Sequence, residues 1–350
     1  MIFNHFIKVQ DVVSPALPYQ KVRRLVLSRT FLITLLCFYF IALTGCATSP
    51  PTPTAPSVVT PIVTPTVLLT PTKIPDHTPR VALVLGGGGA RGYAHIGVLK
   101  VLQHAGIPID LVVGSSIGSL VGALYADSAN AYQVQKILLA TQEQDLIDVH
   151  LLHVLSGAVS GARLQHFVTQ HIKASDFKAL KVHFVAVATD LRTGAIIRLP
   201  SGPIAPAINA SCALPPAFHP VNLYGHILVD GGIADPVPVN VARLYNPHVV
   251  IAVNIAEQLS PEMPKSILGV SERSTLINLM RYARLSSQNA DFVIQPQVGN
   301  IGAFDNSHKI ALIAAGEVAA RRALPQICQI LAAKNINSRC ATVLSSSYAN

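Results

Sequence analysis

Residues 81–105 read VALVLGGGGARGYAHIGVLKVLQHA. The first five are all apolar, as expected of a strand that is buried on both faces of a sheet. Four glycines follow, and Tyr93–Ala105 then places apolar residues at helical spacing, with Gly106 where a C-terminal cap belongs. This stretch therefore predicts a strand, a glycine-rich turn and a helix, the repeating unit of an α/β fold.

The same alternation continues along the chain. Further strands are predicted over 108–113, 182–188, 226–229 and 249–255, and further helices over 117–126, 131–148, 161–173 and 306–323. This pattern predicts one α/β domain over residues 80–325, with a mainly parallel central sheet flanked by helices. Residues 256–302 carry few motif-like features, and we expect a lid or a substrate-shaping loop there.

Composition excludes several classes of protein. Half of the 350 residues are hydrophobic and only 12% are charged, which favours a sizeable core over a disordered chain. The net charge is +9, but no basic run with interleaved aromatic residues occurs, so no nucleic-acid partner is expected. His and Cys residues do not cluster at metal-ligand spacing.

A candidate nucleophile lies between the second predicted strand and the helix after it. Residues 114–118 read Gly-Ser-Ser-Ile-Gly, which matches Gly-x-Ser-x-Gly with Ser116 at the centre. Such a turn lifts the serine hydroxyl out of the sheet, and the flanking glycines let strand and helix approach closely. A tight turn with a capping serine is the alternative interpretation.

The glycine run at 86–92 offers several backbone N–H groups to one point, as an oxyanion hole or a phosphate cradle does. A Walker loop would need Lys and Ser or Thr after the run, and neither is present. The run also fits a dinucleotide fingerprint with Asp110 as its acidic residue. Asp110 begins its strand, however, at the wrong edge of the sheet to reach a ribose, so no nucleotide cofactor is expected.

A candidate base follows the strand predicted over 226–229. Asp230-Gly231-Gly232 places a carboxylate at a strand end, with two glycines that permit close approach to a nucleophile. A turn-forming Asp-Gly pair is the commoner meaning of such a dipeptide. The motif alone leaves both interpretations open.

Together, these motifs resemble the patatin-like phospholipase family, in its bacterial and neuropathy-target-esterase-like branch. The similarity spans about residues 81–325 and includes Ala188–Gly194 and Ala210–Phe218. It implies a patatin-like three-layer α/β sandwich. It also implies a serine lipid acyl hydrolase of the phospholipase A or lysophospholipase type, acting on carboxylic esters of membrane phospholipids or lysophospholipids.

The resemblance assigns roles to individual residues. Ser116 is the expected nucleophile and Asp230 its base, without a catalytic histidine, and the amides of Gly87, Gly88 and Gly89 form the expected oxyanion hole. The remaining motif positions are expected to support this site: Arg91, Gly92, Gly114, Gly118, Gly231 and Gly232. The family needs no metal, and no other cofactor is expected.

Two other functions remain open at this stage. A general carboxylesterase would use a Ser-His-Asp triad, for which Asp190 or Asp230 and His248 or His308 follow Ser116 in suitable order. A catalytically idle lipid-binding lipoprotein would use the fold without the chemistry.

The N-terminus resembles a bacterial lipoprotein signal. Basic residues precede an apolar run at 31–43, too short to span a membrane, and Leu43-Thr44-Gly45-Cys46 resembles a lipobox. This implies a signal peptide over 1–45, a lipidated and palmitate-bearing Cys46, and a Pro/Thr-rich linker over 46–79. The protein is then expected to be exported and anchored to a bacterial membrane. Ala47, where Asp would signal inner-membrane retention, favours the periplasmic face of the outer membrane. An uncleaved signal anchor with Cys46 as an ordinary thiol is the alternative.

The C-terminal tail is predicted over 326–350. Export would permit a disulfide between Cys328 and Cys340, but spacing alone leaves free thiols equally open.

Overall fold

The computed structural model describes residues 78–147, 159–256, 258–302, 305–340 and 342. The predictions for residues 1–45, Cys46 and most of the 46–79 linker lie outside these residues. Among the helices described, none is both long enough and apolar enough to cross a membrane.

One sheet of eight strands forms the centre of the domain. The strands are β1 Val81–Leu85, β2 Ile109–Ser115, β3 His183–Asp190, β4 Ile196–Leu199, β5 Val221–Leu223, β6 His226–Asp230, β7 Val249–Val253 and β8 Phe292–Ile294. Their spatial order is β5-β6-β3-β2-β1-β7-β8, with β4 also paired to β3. Strands β3, β2, β1, β7 and β8 run parallel, whereas β4 and β6 run antiparallel to β3. The prediction of a mainly parallel sheet is confirmed.

Nine α-helices lie within the described residues. They are α1 Tyr93–His104, α2 Ile117–Ser128, α3 Ala131–Ala140, α4 Glu143–Leu146, α5 Ala162–His171, α6 Ile204–Ser211, α7 Val239–Arg243, α8 Ile267–Ser286 and α9 Lys309–Ala333. The helix predicted over 131–148 is divided, because Thr141 adopts an extended conformation between α3 and α4. The predicted domain end at residue 325 is wrong, because it falls inside helix α9, which continues to Ala333.

Helices pack on both faces of the sheet. Along β1, Leu83 and Leu85 join one buried cluster, which includes residues of α1, α2 and α9. The alternate residues Ala82 and Val84 join a second cluster, with residues of α7 and with Ala283 of α8. Because side chains of a strand point to opposite faces in turn, burial on both sides accounts for its wholly apolar sequence.

Helices α1 and α9 cross at very short range. A Cβ atom on Gly97 would lie 2.0 Å from the carbonyl oxygen of Ile313, and one on Gly316 would lie 2.0 Å from that of Ala94. Only glycine fits at either position. The Lys100–Glu317 ion pair, at 2.5 Å, joins the same two helices. This packing fixes α1 at the end of the glycine-rich turn.

Cys328 and Cys340 form a disulfide that joins α9 to the chain after it. Replacing both residues by alanine is expected to lower the free energy of unfolding by about 2–3 kcal/mol, because closing even a short loop restricts the unfolded chain. Urea denaturation with and without reductant measures this. Reductant should lower the stability of the parent protein to that of the variant and leave the variant unchanged. An unaffected parent would contradict the prediction.

Candidate active site

The sheet brings the three predicted motifs to neighbouring positions. Leu85, the last residue of β1, pairs with Gly114 of β2, so the glycine run and the Ser116 turn leave the sheet side by side. Ser115 pairs with Val187 of β3, and the next residue of β3, Ala188, pairs with Asp230. Strand β6 runs antiparallel but ends level with Ser116, which places Asp230 next to it.

Ser116 has a backbone conformation that non-glycine residues rarely adopt, with φ 54° and ψ −128°. It precedes the first residue of α2. The turn requires glycine on both sides: a Cβ atom on Gly114 would lie 2.5 Å from the carbonyl oxygen of Gly118, and one on Gly118 would lie 2.1 Å from that of Leu85. Strained serine turns of this kind hold nucleophiles in α/β hydrolases.

The hydroxyl of Ser116 donates a hydrogen bond to Oδ2 of Asp230 at 2.5 Å. The other carboxylate oxygen, Oδ1, accepts the amide N–H of Gly232 at 2.7 Å. Only 2% of Asp230 is exposed, and this burial raises its pKa to about 6 although both hydrogen bonds act in the opposite direction. Asp230 is therefore ionised at pH 7 and is a stronger proton acceptor than an ordinary carboxylate.

The glycine run at residues 86–92 forms a loop, the glycine loop, that lines the cleft with Ser116. One of its three predicted oxyanion-hole amides already donates a hydrogen bond within the protein. The amide of Gly87 donates to the carbonyl oxygen of Pro236 at 2.9 Å. The prediction that Gly87 contributes an oxyanion-hole amide is therefore wrong in this conformation. The amides of Gly88 and Gly89 make no hydrogen bond to other described residues, and both glycines line the same cleft as Ser116. They are the two loop amides left to stabilise an oxyanion.

Two side chains hold this loop in place. Arg91 is buried, and its Nε donates to the carbonyl oxygen of Gly88 at 2.9 Å. His95 on α1 is fully buried, and its Nε2 donates to the carbonyl oxygen of Gly86 at 2.8 Å. Burial lowers the pKa of His95 to about 4, so its ring is neutral at pH 7. The His95 contact was not predicted, because only the packing of α1 brings the imidazole beneath the loop.

Replacing His95 by leucine is expected to reduce kcat/KM for a soluble ester by about 10- to 100-fold. The loop loses a contact that positions the Gly88 and Gly89 amides, and one oxyanion-hole donor is worth about 100- to 1000-fold in kcat. His95→Gln, which can still donate, should retain more activity. His104→Leu is a matched control on the exposed side of the same helix and should leave kcat/KM unchanged. Equal activity of His95→Leu and His104→Leu would contradict a positioning role.

Ser211, at the end of α6, holds the backbone of Ser116 through a hydrogen bond. Its hydroxyl accepts the amide N–H of Ser116 at 3.1 Å and donates to the carbonyl oxygen of Val187 at 2.6 Å. This residue lies within the family-like stretch 210–218, so the sequence contained a signal for it. Its role could not be inferred, because it depends on how α6 packs against β3.

Two cavities open at Ser116. A cavity of about 130 Å³ is lined mainly by apolar side chains, among them Ile117, Leu120 and Phe218. A cleft of about 630 Å³ contains Ser116, Asp230 and the glycine loop, and α8 forms one wall. A larger cavity of about 1050 Å³ lies between α3 and α5 but includes neither Ser116 nor Asp230. The contact between the two residues, rather than cavity size, therefore identifies the candidate site.

The histidines considered for a triad lie elsewhere. His248 precedes β7 at the end of the sheet opposite Ser116, and its amide donates to the carbonyl oxygen of Pro79. His308 pairs with Asp305 at 3.2 Å. Asp190 accepts a hydrogen bond from His226 at 2.6 Å. Within the described residues, none of these histidines contacts Ser116 or Asp230.

Asp110, considered for a dinucleotide site, forms an ion pair with Arg80 at 2.7 Å at the start of its strand. It therefore lies at the edge of the sheet away from the glycine run. Among the described residues, no group of three or more His, Cys, Asp or Glu side chains is placed to hold a metal ion.

Comparisons with known proteins match this part of the chain. The family model described as patatin-like phospholipase matches residues 83–243. The chain is 34% identical over 188 residues to the mouse patatin-like phospholipase domain-containing protein 6, covering 51% of this chain and 14% of that protein. It is 36% identical over 186 residues to an uncharacterized NTE family protein of Mycobacterium bovis, covering 51% of this chain and 50% of that protein. The chain thus spans between about a seventh and half the length of these relatives.

Among solved structures, VipD from Legionella pneumophila is similar with a TM-score of 0.46 and 14% identity, covering 70% of this chain and 66% of that one. The fold of the present chain is the patatin-like α/β fold, a mostly parallel sheet of eight strands with helices on both faces. Residues 83–243 therefore resemble the patatin-like phospholipase family in sequence as well as in fold.

Proposed function

We propose that this protein is a serine acyl hydrolase of the phospholipase A or lysophospholipase type, which cleaves carboxylic esters of membrane lipids. Ser116 is the nucleophile and Asp230 its base. The observation that carries the proposal is the 2.5 Å hydrogen bond from the Ser116 hydroxyl to a buried carboxylate.

In the first half of the proposed reaction, Asp230 takes the hydroxyl proton while the Ser116 oxygen attacks the ester carbonyl carbon. The negative charge that develops on the carbonyl oxygen is stabilised by the amides of Gly88 and Gly89. As the tetrahedral intermediate collapses, the bond to the alcohol oxygen breaks and Asp230 returns its proton to the leaving lysolipid or alcohol. The acyl chain is then bound to Ser116 as an ester.

In the second half, Asp230 takes a proton from a water molecule, which attacks the acyl carbon. The bond to the Ser116 oxygen breaks, the serine regains a proton, and a fatty acid is released. These steps use only side chains, backbone amides and water.

The lining of the cleft supports a lipid substrate. Leu214, Pro215, Ile233 and Leu279 line the cleft together with Ser116 and the glycine loop. An acyl chain that enters this cleft leaves water for an apolar environment, which favours binding by about 0.8 kcal/mol per buried methylene. A cavity of about 150 Å³ holds a ligand the size of benzene. The cleft of about 630 Å³ therefore suits a long chain better than the cavity of about 130 Å³.

Hydrolysis of a mixed-lipid panel tests the substrate class. The panel should contain phosphatidylcholine, phosphatidylglycerol, a lysophospholipid and a triacylglycerol, with products identified by mass spectrometry. The expected products are free fatty acids and the matching deacylated lipids. Release of diacylglycerol or of a phosphorylated head group, or no product at all, would contradict the proposal.

We further propose that the protein is exported as a lipoprotein, with a signal peptide over 1–45, lipidated Cys46, a linker over 46–79 and a hydrolase domain that begins at residue 80 and includes all of α9. The lipobox-like Leu43–Cys46 sequence supports this, as does the disulfide, since such bonds persist in oxidising compartments. In a Gram-negative cell, we expect the periplasmic face of the outer membrane. Radiolabelled palmitate should be incorporated by the parent and not by Cys46→Ser; equal labelling would contradict the anchor.

A further inference from the structure

Helix α8 and the loop before it expose apolar side chains to solvent. Met263 is 71% exposed and Ile267 is 88% exposed, and Val270 and Ile277 are also exposed further along the helix. We call these four residues the apolar ridge. Ile267, Val270 and Ile277 are spaced by three and seven residues, which places them on one face of α8. Exposed apolar faces of this kind are unfavourable in water and mark interaction surfaces.

Basic side chains accompany the ridge. Residues 259–286 contain four basic residues against two glutamates, Glu262 and Glu272; the basic residues are Lys265, Arg273, Arg281 and Arg284. Lys265, Arg281 and Arg284 are exposed. The guanidinium of Arg273 donates to the carbonyl oxygen of Glu262 at 2.8 Å and so holds the loop with Met263 against the helix. The surface therefore combines apolar and positively charged groups.

The other flank of α8 lines the cleft that contains Ser116. Thr275, Leu279 and Tyr282 contribute to this wall, and the Tyr282 hydroxyl donates to the carbonyl oxygen of Ala234, close to the Asp-Gly-Gly turn. Ile233, half-exposed, lies on the cleft as well. Helix α8 thus forms a wall of the cleft and also carries Ile267, Val270 and Ile277 of the apolar ridge.

We propose that the apolar ridge docks on an anionic phospholipid surface and holds the mouth of the cleft against it. Docking would let a lipid enter the cleft without crossing water. This role of the ridge rests on the proposed lipid hydrolase function. Apolar side chains at the level of the head groups, with Lys and Arg beside them, are the composition of helices that lie on anionic membranes. A second copy of the chain fits less well, because a two-fold contact through this face would bring like charges together.

The test uses the full chain carrying Cys46→Ser, so that a lipid anchor does not mask the surface. The docking variant is Met263→Ser/Ile267→Ser/Val270→Ser, none of which lines the cleft. The matched control is Ile310→Ser/Val318→Ser, which removes exposed apolar side chains from α9. Each protein is assayed on vesicles of phosphatidylcholine with about 30% phosphatidylglycerol and on a soluble short-chain ester. Residues 1–77 are identical in all of them, so differences report the ridge.

We expect the docking variant to hydrolyse vesicle lipid at least about tenfold more slowly, with the soluble ester unaffected and the control unchanged in both assays. Arg281→Gln/Arg284→Gln should reduce the preference for anionic over zwitterionic vesicles by about fivefold per residue, whereas Arg321→Gln/Arg322→Gln on α9 should not. Vesicle hydrolysis that is unchanged in the docking variant, or reduced equally in the control, would overturn the proposal.

Hydrogen exchange separates failure of docking from failure of the proposed hydrolase. In the Cys46→Ser/Ser116→Ala chain, which needs no activity, amides of residues 263–277 should gain protection on anionic vesicles. Protection there supports docking even if the parent hydrolyses no ester, and its absence overturns docking even if the parent is active. Light scattering tests whether a second copy of the chain covers the ridge instead. If the parent is dimeric in solution, the docking variant is monomeric and vesicles give no added protection, the ridge is a dimer contact and the proposal is overturned.

Discussion

Ser116→Ala is expected to lose ester hydrolysis by at least about a thousandfold, because the variant has no oxygen that can attack the carbonyl carbon. The loss should appear in kcat and not in KM, since the cleft walls and the glycine loop remain. Initial rates on a soluble ester, measured over a range of substrate concentrations, give both constants. Retention of more than about a tenth of the activity would contradict the assignment of Ser116.

The residue before Ser116 supplies a control for this experiment. Ser115 is fully buried, and its hydroxyl makes no hydrogen bond within the described residues. Ser115→Ala removes the hydroxyl group of the neighbouring serine and leaves no hydrogen-bond partner unpaired. We therefore expect activity within about twofold of the parent. If both variants lose activity to a similar extent, Ser116→Ala acts by disturbing the turn and not by removing the nucleophile.

Asp230→Asn is expected to reduce kcat by about a thousandfold or more. An amide can still accept a hydrogen bond from Ser116, but it cannot take the proton of the hydroxyl at neutral pH. The variant should fold, because asparagine preserves the shape of the side chain and an acceptor for Gly232. Circular dichroism and urea denaturation check folding, and steady-state kinetics measure the loss.

The pH dependence of the parent gives an independent test of Asp230. Its pKa is raised to about 6 by burial, so the carboxylate becomes protonated as the pH falls through this value. The rate should therefore fall about tenfold for each pH unit below about 6 and level off above it. A rate that stays constant down to pH 5 would contradict the role of Asp230 as base.

The same raised pKa predicts that Asp230→Asn gains stability as it loses activity. An acid whose pKa is higher in the folded than in the unfolded state destabilises the folded state once the pH exceeds both values. A rise from 3.8 to about 6 corresponds to about 3 kcal/mol at pH 7, and a neutral amide removes most of this cost. The free energy of unfolding should rise in Asp230→Asn at pH 7, and the gain should disappear below about pH 4.

Nearby residues provide controls for Asp230. Asp235 is also 2% exposed and its pKa is raised to about 7, but no described hydrogen bond joins it to Ser116. Asp235→Asn should therefore retain activity. His248→Ala and His308→Ala should retain it as well, since neither contacts the site. Activity that is lost in one of the histidine variants and kept in Asp230→Asn would restore the Ser-His-Asp triad.

The motifs with strong local constraints could be predicted from the sequence. The wholly apolar β1, the glycine run and the Gly-x-Ser-x-Gly turn each require a particular backbone, so residues 81–126 could be assigned to strands, turns and helices. The adjacency of Ser116 and Asp230 was predicted only through the family resemblance. No periodicity indicates that an antiparallel strand, 114 residues further on, ends level with the serine turn.

Features that depend on distant packing could not be predicted. The amide of Gly87 is used by Pro236, which lies in the loop between Asp230 and α7, so its loss as an oxyanion donor appears only in the folded chain. Helix α8 was expected to be a lid or loop, because its apolar residues lie on an exposed face and do not mark a core stripe. Strands β5 and β8, of three residues each, are too short to show any alternation.

The central claim is that Ser116 is an activated nucleophile, and labelling by a fluorophosphonate probe tests it most directly. The full-length protein should be labelled at pH 8 and analysed by intact-mass and peptide mass spectrometry. We predict a single adduct on Ser116 in the parent and in Ser115→Ala, slow labelling of Asp230→Asn, and no adduct on Ser116→Ala. A folded parent that is not labelled, or equal labelling of Ser116→Ala, would contradict the account.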